Sequence, residues 1–423
     1  MKAEGILMHR ERNVIAVRAP QGDTQTIVQV LDLGASSKLV TCTLNEKTVF
    51  WRWISNDKLA LVGTTAVYHL DITQGTSAQP VKVFDRLPSM ANCQIMSYDV
   101  DATEKWCYLI GLYSDANRNI LSHIQLFNVE RQMAMPLEGY AACFAEMPVI
   151  DAPGSPKTQL FCFCERKAGE TTQKLMCTEI GTPPAGAQKF KSMSEIQFAP
   201  DAPNDFPMII QATNKYGLLF IITKAGYFYM YEVSRAALVY RQKISQELIV
   251  CSVRNHATDG MICINKSGQV LAINVDEANL VSYVMNAQHI PDQKNVAFKL
   301  ASRFGLQGAD EIFLQQFQMA LASSNYAEAA RVAKDAPGTL LRNEETINRF
   351  KQLPPAPGAT QQPIMLYFST LLESGAKLNE IESIELAKPV MQAGKGQLIE
   401  QWIAKDQLTT SDTLGDVIRQ YNP

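Results

Sequence analysis

The sequence predicts a β-propeller that leads into a row of paired helices, and two observations support this prediction. The front two-thirds of the chain repeat one pattern about every 40–60 residues: an apolar run, a short polar turn and a second apolar run. The clearest copy spans residues 216–233, where Gly226 supplies the conformational freedom that a tight reversal needs. Near Asn286 the strand-forming residues give way to apolar residues at helical spacing.

The repeated pattern is that of a β-hairpin, and a single hairpin cannot bury its own apolar faces in water. Hairpins that recur at this interval, with further strands between them, are typical of propellers, in which each four-stranded blade packs on its neighbours. A β-sandwich is the alternative, and it would accommodate the strands but not six copies of one unit. The six copies span residues 13–33, 58–72, 105–129, 159–180, 216–233 and 260–275.

Shorter strand candidates lie between the hairpins, as a four-stranded blade requires. They are apolar runs of strand length, rich in β-branched and aromatic residues. We predict strands at residues 49–54, 94–100, 143–147, 208–212 and 249–254.

The rest of the chain predicts helices in series. Three helical patterns occupy residues 296–304, 310–323 and 326–334, and Pro337-Gly338 ends the third. A Pro- and Gly-rich break at residues 353–363 precedes two helical pairs, 364–374 with 381–392 and 396–405 with 411–420. Helical pairs in series indicate an α-solenoid. We therefore expect an incomplete terminal propeller over residues 1–285, a helical linker over 286–352 and the first solenoid repeats over 353–423.

Composition excludes several classes of function. The chain has 423 residues, of which 46% are apolar and 19% charged, as in globular proteins with a sizeable core. A net charge of −3 argues against nucleic-acid binding, which requires a basic face. No apolar run approaches the roughly 20 residues that span a bilayer. Residues 1–5 lack the features of a secretory signal, so we expect a cytoplasmic protein.

Motifs of catalysis and of cofactor or metal binding are missing from the sequence. The five histidines stand far apart, and the nine cysteines form no CxxC pair. Cys162 and Cys164 would share one face of a strand, where buried structural thiols are favoured over a metal pair. Glu195, Asp201 and Asp205 lie close in sequence, and a solvated loop is favoured over paired carboxylates. We expect no cofactor and no enzyme, although a hydrolase site assembled from several blades remains the alternative.

Ten short sequence strings, which follow one another in a single order along essentially the whole chain, resemble those of the clathrin heavy-chain family. In the strand region they are FWRWI (50–54), VFDR (83–86), CQI (93–95), GTPP (181–184) and NDFP (204–207). In the helical region they are NYAEAARVAKDAP (325–337), TINRF (346–350), LYFSTLLE (366–373), IELAKPV (384–390) and LGDVI (414–418).

This resemblance implies an architecture and a function. The family has a seven-bladed terminal propeller, a helical linker and a long solenoid leg that ends in a trimerisation hub. We expect about six of the seven blades here, without the first, followed by the linker and the start of the leg. The family implies a structural coat protein of coated pits and vesicles that associates with membranes indirectly. Light-chain binding and self-trimerisation would belong to parts outside this chain.

The resemblance also implies partners and binding residues. In the family, a groove between two blades binds extended leucine-acidic motifs of adaptor and accessory proteins. The matching positions here are Ile15, Gln29, Leu31 and Lys38. Strand packing would equally explain the two apolar residues, and Leu31 stands where the family commonly has an aromatic residue. The alternative is another propeller-plus-solenoid trafficking protein, such as a vacuolar sorting or tethering subunit. Such proteins lack these strings.

Two further peptide sites follow from the same resemblance. A second groove matches at Trp106 and Arg131, although Met135 stands where the family usually has glutamine. A third site, on top of the propeller, matches at Gln94, Met96 and Leu112. On sequence alone, Trp106 would more often be a core residue.

Overall fold

The computed structural model describes residues 2–116, 118–148, 157–167, 170, 172–181, 188–287, 289–290, 292–306, 308–355 and 361–421. Residues 182–184 of the GTPP string and 356–360 of the predicted break therefore lie outside the described residues. Within the described part, the last strand ends at Ile273 and the first α-helix begins at Glu277. The boundary at residue 285 that composition suggests falls at the end of that helix.

The first two sheets are four-stranded antiparallel meanders, in which each strand pairs with the next. Unit 1 contains β1 (Gly5–Met8), β2 (Val14–Gln21), β3 (Gln25–Asp32) and β4 (Ser37–Leu44). Unit 2 contains β5 (Phe50–Trp53), β6 (Lys58–Val62), β7 (Ala66–Asp71) and β8 (Val81–Asp85). Short 3₁₀ turns at Ile72–Ser77 and Pro88–Met90 follow β7 and β8.

A seven-stranded sheet follows and divides into two units at its long strand β12 (Met133–Met147). Residues 133–138 of β12 pair with β11, whereas Gly139 and residues 142–147 pair with β13. Unit 3 is therefore β9 (Gln94–Val100), β10 (Trp106–Ser114), β11 (Ile120–Asn128) and the start of β12. Unit 4 is the rest of β12 with β13 (Thr158–Glu165), β14 (Lys174–Glu179) and β15 (Lys191–Glu195).

Two further sheets complete the strand region. Unit 5 contains β16 (Pro207–Thr213), β17 (Leu218–Thr223), β18 (Tyr227–Glu232) and β19 (Ala237–Lys243). Unit 6 contains β20 (Ile249–Asn255), β21 (Gly260–Asn265) and β22 (Val270–Ile273). All six predicted hairpins are confirmed, and each forms the second and third strands of its unit.

Consecutive units pack on each other through separate apolar clusters, as blades do. Val28 and Val40 of unit 1 lie in one cluster with Leu59 of unit 2. Three further clusters join units 2 and 3, units 3 and 4, and units 4 and 5. Because each unit shares an apolar face with the next, the strand region is the predicted β-propeller.

The helices follow the propeller and confirm the second half of the fold prediction. Helices α1 and α5 were not predicted, and the other seven lie within a few residues of their predicted positions. The helices are α1 (Glu277–Asn286), α2 (Gln293–Phe304), α3 (Asp310–Ala322), α4 (Tyr326–Asp335), α5 (Glu344–Gln352), α6 (Pro363–Glu373), α7 (Glu380–Gln392), α8 (Gly396–Ala404) and α9 (Asp412–Tyr421).

The propeller and the helices share one hydrophobic core. This cluster begins at Tyr216 in unit 5, includes Met261 of unit 6 and extends through the helices to Leu414 in α9. Gly217 approaches Phe304 of α2 so closely that a Cβ at this glycine would lie 2.3 Å from the ring. The sheets and helices are therefore packed as one continuous body.

Candidate functional site

The candidate site lies on the face of unit 1 that points away from unit 2. Along β2, β3 and β4 the side chains alternate, and every second one is buried against unit 2. The residues between them point the other way. Val28 and Val30 are fully buried, whereas their neighbours Gln29 and Leu31 are only half-buried.

The register of these strands brings the four predicted residues together. Ile15 of β2 lies opposite Leu31 of β3, and Leu31 lies opposite Lys38 of β4. Gln29 lies one row further along the same face, between Val17 and a residue of β4. The apolar members are half-buried and Lys38 is exposed. The structure therefore places all four side chains on one outward surface.

A β-bulge makes this arrangement. Val30 pairs with Val40, but the next residue, Leu31, pairs with Lys38, so Leu39 is the extra residue. Without the bulge, alternation would put Lys38 on the face opposite to Leu31. The turn between the two strands is held by Asp32, whose Oδ1 accepts a hydrogen bond from the Ala35 N–H at 2.9 Å.

Strand β1 extends the surface with two residues that sequence reasoning missed. Met8 lies opposite Ile15, and Ile6 lies opposite Val17. Their side chains are 64% and 61% exposed, which is unusual for large apolar residues on a regular strand. The alternation in the segment Gly5–Met8 was the available signal. One row across the sheet thus reads Met8, Ile15, Leu31 and Lys38.

The electrostatics of this row are simple. The Lys38 side chain has no ion-pair or hydrogen-bond partner among the residues that the structure describes. Its ammonium group stands at the end of a line of three apolar side chains. Such a surface can hold apolar side chains of an extended ligand and attract an acidic group beside them.

The second predicted site lies at one end of unit 3. Trp106, the first residue of β10, is half-buried and packs with Met135 against the cluster between units 3 and 4. Its backbone N–H donates a hydrogen bond to Asp101 Oδ1 at 2.7 Å. Arg131 is exposed in the turn after β11, and its N–H donates to the side chain of Asn128, which lies opposite Trp106. The two predicted residues thus lie at the same strand ends.

The third predicted site lies on β9 and β10. Gln94 pairs directly with Leu112, and Met96 is the extra residue of a bulge in β9. Gln94 and Met96 are exposed and Leu112 is half-buried. The three side chains are close neighbours on one sheet.

The three acidic residues considered for catalysis have separate structural roles. The Tyr227 hydroxyl donates a hydrogen bond to Asp201, which holds the pKa of that carboxyl below its usual value. Asp205 is buried and accepts a hydrogen bond from the Ala225 N–H at 3.0 Å, which fixes the β17–β18 turn. Glu195 is exposed at the end of β15. The contacts of Asp201 and Asp205 are those of loop-supporting carboxylates.

The cysteines of unit 4 face its core. Cys143, Cys162 and Cys177 lie directly opposite one another on three neighbouring strands. Cys164 is fully buried, and burial raises the pKa of its thiol well above the usual value. Within the described residues no group of three His, Cys, Asp or Glu side chains is placed to hold a metal ion. These thiols are packed as apolar groups.

None of the helices in the described part of the chain is long and apolar enough to cross a bilayer.

Comparison with known proteins identifies close relatives over the whole chain. The Clathrin-H-link family model matches residues 305–371. The chain is 39% identical over 420 residues to the clathrin heavy chain of Drosophila melanogaster, covering 99% of this chain and 24% of that protein. It is 38% identical over 424 residues to clathrin heavy chain 2 of Homo sapiens, covering 100% of this chain and 25% of that protein. The chain therefore spans about a quarter of the length of these relatives.

Proposed function

Because this chain is a homologue of the clathrin heavy chain along its whole length, we propose that it serves in the structural coat of clathrin-coated pits and vesicles. Residues 1–285 act as the peptide-binding propeller, residues 286–352 as the linker and residues 353–423 as the start of the lattice-forming leg. The protein works at the cytoplasmic face of the membrane, in endocytosis and vesicle transport. Adaptor and accessory proteins link it to the membrane.

The row of Met8, Ile15, Leu31 and Lys38 supports the proposed contact with these partners. A short extended motif of leucines and acids lies along unit 1, with its leucines on Ile15 and Leu31. Its carboxylates face Lys38, and the Gln29 amide contacts its backbone. Apolar pockets next to a positive charge select such a motif over a purely apolar or purely acidic peptide.

The other two surfaces provide further contacts of the same kind. Trp106 and Arg131 combine an aromatic face with a positive charge, and Gln94, Met96 and Leu112 add a mixed polar and apolar patch. Each contact is weak by itself. Many propellers that meet many motifs on one membrane raise the avidity by about 10²–10⁴ without new contacts.

A peptide titration tests the site on unit 1. We expect a fluorescein-labelled peptide of alternating leucine and aspartate to bind the chain, measured by fluorescence anisotropy. Lys38→Glu should weaken binding about fivefold, because an exposed ion pair contributes roughly 0.2–1 kcal/mol and the reversal adds repulsion. Lys395→Glu, an exposed lysine between α7 and α8, is the matched control and should bind as the parent chain does.

Two results would count against this assignment. One is the absence of any binding at peptide concentrations up to the millimolar range. The other is binding that Lys38→Glu and Lys395→Glu weaken equally, since this would indicate attraction to the overall charge and not to the row on unit 1.

A further inference from the structure

Three free thiols form a row on the face of unit 4 that packs against unit 5. Cys143 of β12, Cys162 of β13 and Cys177 of β14 lie directly opposite one another and are termed the cysteine row below. The Cys162 thiol is in hydrogen-bonding contact with the thiols of both neighbours. Free thiols in contact can be joined by oxidation, so the hydrogen-bond pattern of the sheet decides which pair is suited to a bond.

Cys162 and Cys177 form the closer pair. In an antiparallel sheet, hydrogen-bonded pairs with Cα atoms about 5.5 Å apart alternate with non-hydrogen-bonded pairs about 4.5 Å apart. The Ile180 N–H donates to the Gln159 carbonyl at 3.0 Å, so these two opposite residues are a hydrogen-bonded pair. Cys162 and Cys177 lie three positions further along the two strands, without a shift of register. They are therefore a non-hydrogen-bonded pair.

Cys143 and Cys162 form the wider pair. The Glu146 N–H points away from β13, because it donates to the Asn214 side chain at 3.2 Å. Glu146 and its partner Gln159 are therefore non-hydrogen-bonded, and the cysteine pair three positions along is hydrogen-bonded. A disulfide needs Cβ atoms about 3.5–4.5 Å apart, and of the two kinds of pair only the non-hydrogen-bonded kind approaches this range. The sheet therefore favours a bond on the β14 side of Cys162.

The three thiols differ in their accessibility to an oxidant. Cys143 is 8% exposed, whereas Cys162 and Cys177 are completely buried. Hydrogen bonds with the Cys143 and Cys177 thiols, together with burial, raise the pKa of the Cys162 thiol well above its usual value. Oxidation by peroxides requires exposure and thiolate character. An oxidant therefore reaches the cysteine row at Cys143.

We propose that the cysteine row is a peroxide-sensitive modification site, in which Cys143 is oxidised first and Cys162 and Cys177 end in a disulfide. The bond ties β13 to β14 within the unit that packs against unit 5. The chemistry needs a peroxide as the oxidant and no group beyond the three thiols. The inference does not depend on the function proposed above.

The reaction takes three steps. Hydrogen peroxide oxidises the Cys143 thiol to a sulfenic acid and leaves as water. The Cys162 sulfur attacks the Cys143 sulfur, a disulfide forms, and the hydroxyl of the sulfenic acid leaves as a second water. The Cys177 sulfur then attacks the Cys162 sulfur and releases Cys143, which takes up the proton of Cys177 as a thiol. In total, Cys162 and Cys177 give two electrons to one peroxide.

The experiment treats the full chain with hydrogen peroxide, in a Cys251→Ser background that removes an exposed thiol able to cross-link two copies. The remaining thiols are alkylated under denaturing conditions, and the chain is digested with trypsin. Cleavage after Lys157 and Arg166 separates the three cysteines of the row. We expect mass spectrometry to show the peptides of Cys162 and Cys177 joined, and the third thiol of the row alkylated.

Alanine variants test the order of the steps. Cys143→Ala should slow formation of the disulfide at least about tenfold, because the accessible thiol is lost. Cys177→Ala should trap the bond between Cys143 and Cys162, since the exchange step is removed. Cys164→Ala is the matched control, because this buried thiol of the same strand lies opposite Leu175. It should react within about twofold of the parent rate. Circular dichroism melting curves check that each variant is folded.

Three results would overturn the proposal. If peroxide leaves all three thiols of the folded parent chain free for alkylation, the row does not react. If the disulfide forms equally fast in Cys143→Ala, the oxidant does not act through Cys143. If the bond appears only at peroxide concentrations at which circular dichroism shows an unfolded chain, the register of the folded sheet plays no part in it.

Discussion

His69 is a half-buried titratable residue between units 2 and 3. Its Nε2 lies 2.7 Å from the Tyr98 hydroxyl oxygen, and burial lowers the pKa of its imidazole to about 4. An unfolded histidine has a pKa of about 6.5. The folded chain therefore binds fewer protons at this position than the unfolded chain does whenever the pH lies between these values.

This difference makes stability depend on pH. The free energy of unfolding should fall as the pH drops from about 6.5 to about 4, by up to about 3 kcal/mol from His69 alone. In His69→Gln, which can still bond the Tyr98 hydroxyl, this part of the pH dependence should disappear. Urea unfolding at several pH values measures both chains. If the free energy of unfolding changes equally with pH in the parent chain and in His69→Gln, the pH dependence does not come from His69.

The candidate site shows what single residues reveal in a sequence. The family resemblance supplied Ile15, Gln29 and Leu31, and the alternation of buried and half-buried residues in β2 and β3 agrees with their common face. The position of Lys38 depends on the bulge at Leu39, and nothing in the local sequence marks a bulge that lacks glycine. Met8 was missed because the four-residue β1 is too short for its alternation to be convincing.

At the scale of elements, helix α7 is fixed at its start by a buried carboxylate. The Asn379 side chain accepts a hydrogen bond from the Glu382 N–H, and Glu382 accepts one from the Asn379 N–H, both at 2.9 Å. The same carboxylate accepts a bond from the Tyr367 hydroxyl at 2.8 Å and pairs with Arg342. One fully buried side chain thus joins α6, α7 and the segment before α5.

Glu382→Gln should destabilise the chain by about 3 kcal/mol, because it leaves the largely buried Arg342 without its counter-charge. Glu380→Gln removes a charge from an exposed position in the same helical turn and should cost less than about 0.5 kcal/mol. Differential scanning calorimetry compares the two variants with the parent. Similar melting temperatures for both variants would show that the buried pair contributes little.

Most of the elements that sequence reasoning found are buried, although the predicted strands β20 and β22 are largely exposed or half-buried. The inner hairpins of all six units are rich in apolar residues and stood out from their surroundings. The outer strands β4, β8, β15 and β19 carry many exposed side chains, so their composition resembles that of loops. Helix α5 buries only Thr346, Ile347 and Phe350 and was missed for the same reason.

At the scale of the whole molecule, the first and last sheets both present apolar outer faces. Ile6 and Met8 of unit 1 are exposed, and so are Val253 and Val270 of unit 6, at 55% and 66%. Between consecutive units, the facing apolar surfaces cover each other. Uncovered apolar sheet faces favour association with other molecules.

We therefore expect the isolated chain to self-associate as its concentration rises. Sedimentation velocity from about 1 to 100 µM should show a growing sedimentation coefficient, since micromolar affinity requires only about 8 kcal/mol. Met8→Glu together with Val253→Glu should reduce this growth. The control Met193→Glu, at an equally exposed methionine on β15, should not. A monomer at every concentration would contradict the expectation.

Gly217 of unit 5 packs closely against Phe304 of α2. Gly217 has a φ of 62°, and a Cβ there would also lie 2.3 Å from the Phe304 ring. Gly217→Ala should cost about 3 kcal/mol, of which roughly 1–2 kcal/mol is backbone strain and the rest overpacking. Gly375→Ala, with a φ of 73° and open space around it, should show the strain alone. Chemical denaturation curves measure the loss of stability in both variants. Equal losses in Gly217→Ala and Gly375→Ala would mean that α2 moves away from the added methyl group at little cost.

The shared core from Tyr216 to Leu414 has a mechanical consequence. Because units 5 and 6 share this core with the helices, the propeller cannot rotate independently of them, so a force on the last helices tilts the sheets as well. The direction in which the binding faces point is then set by whatever holds the helical end. A mechanical load on the helical end therefore changes the orientation of the binding surfaces on the propeller.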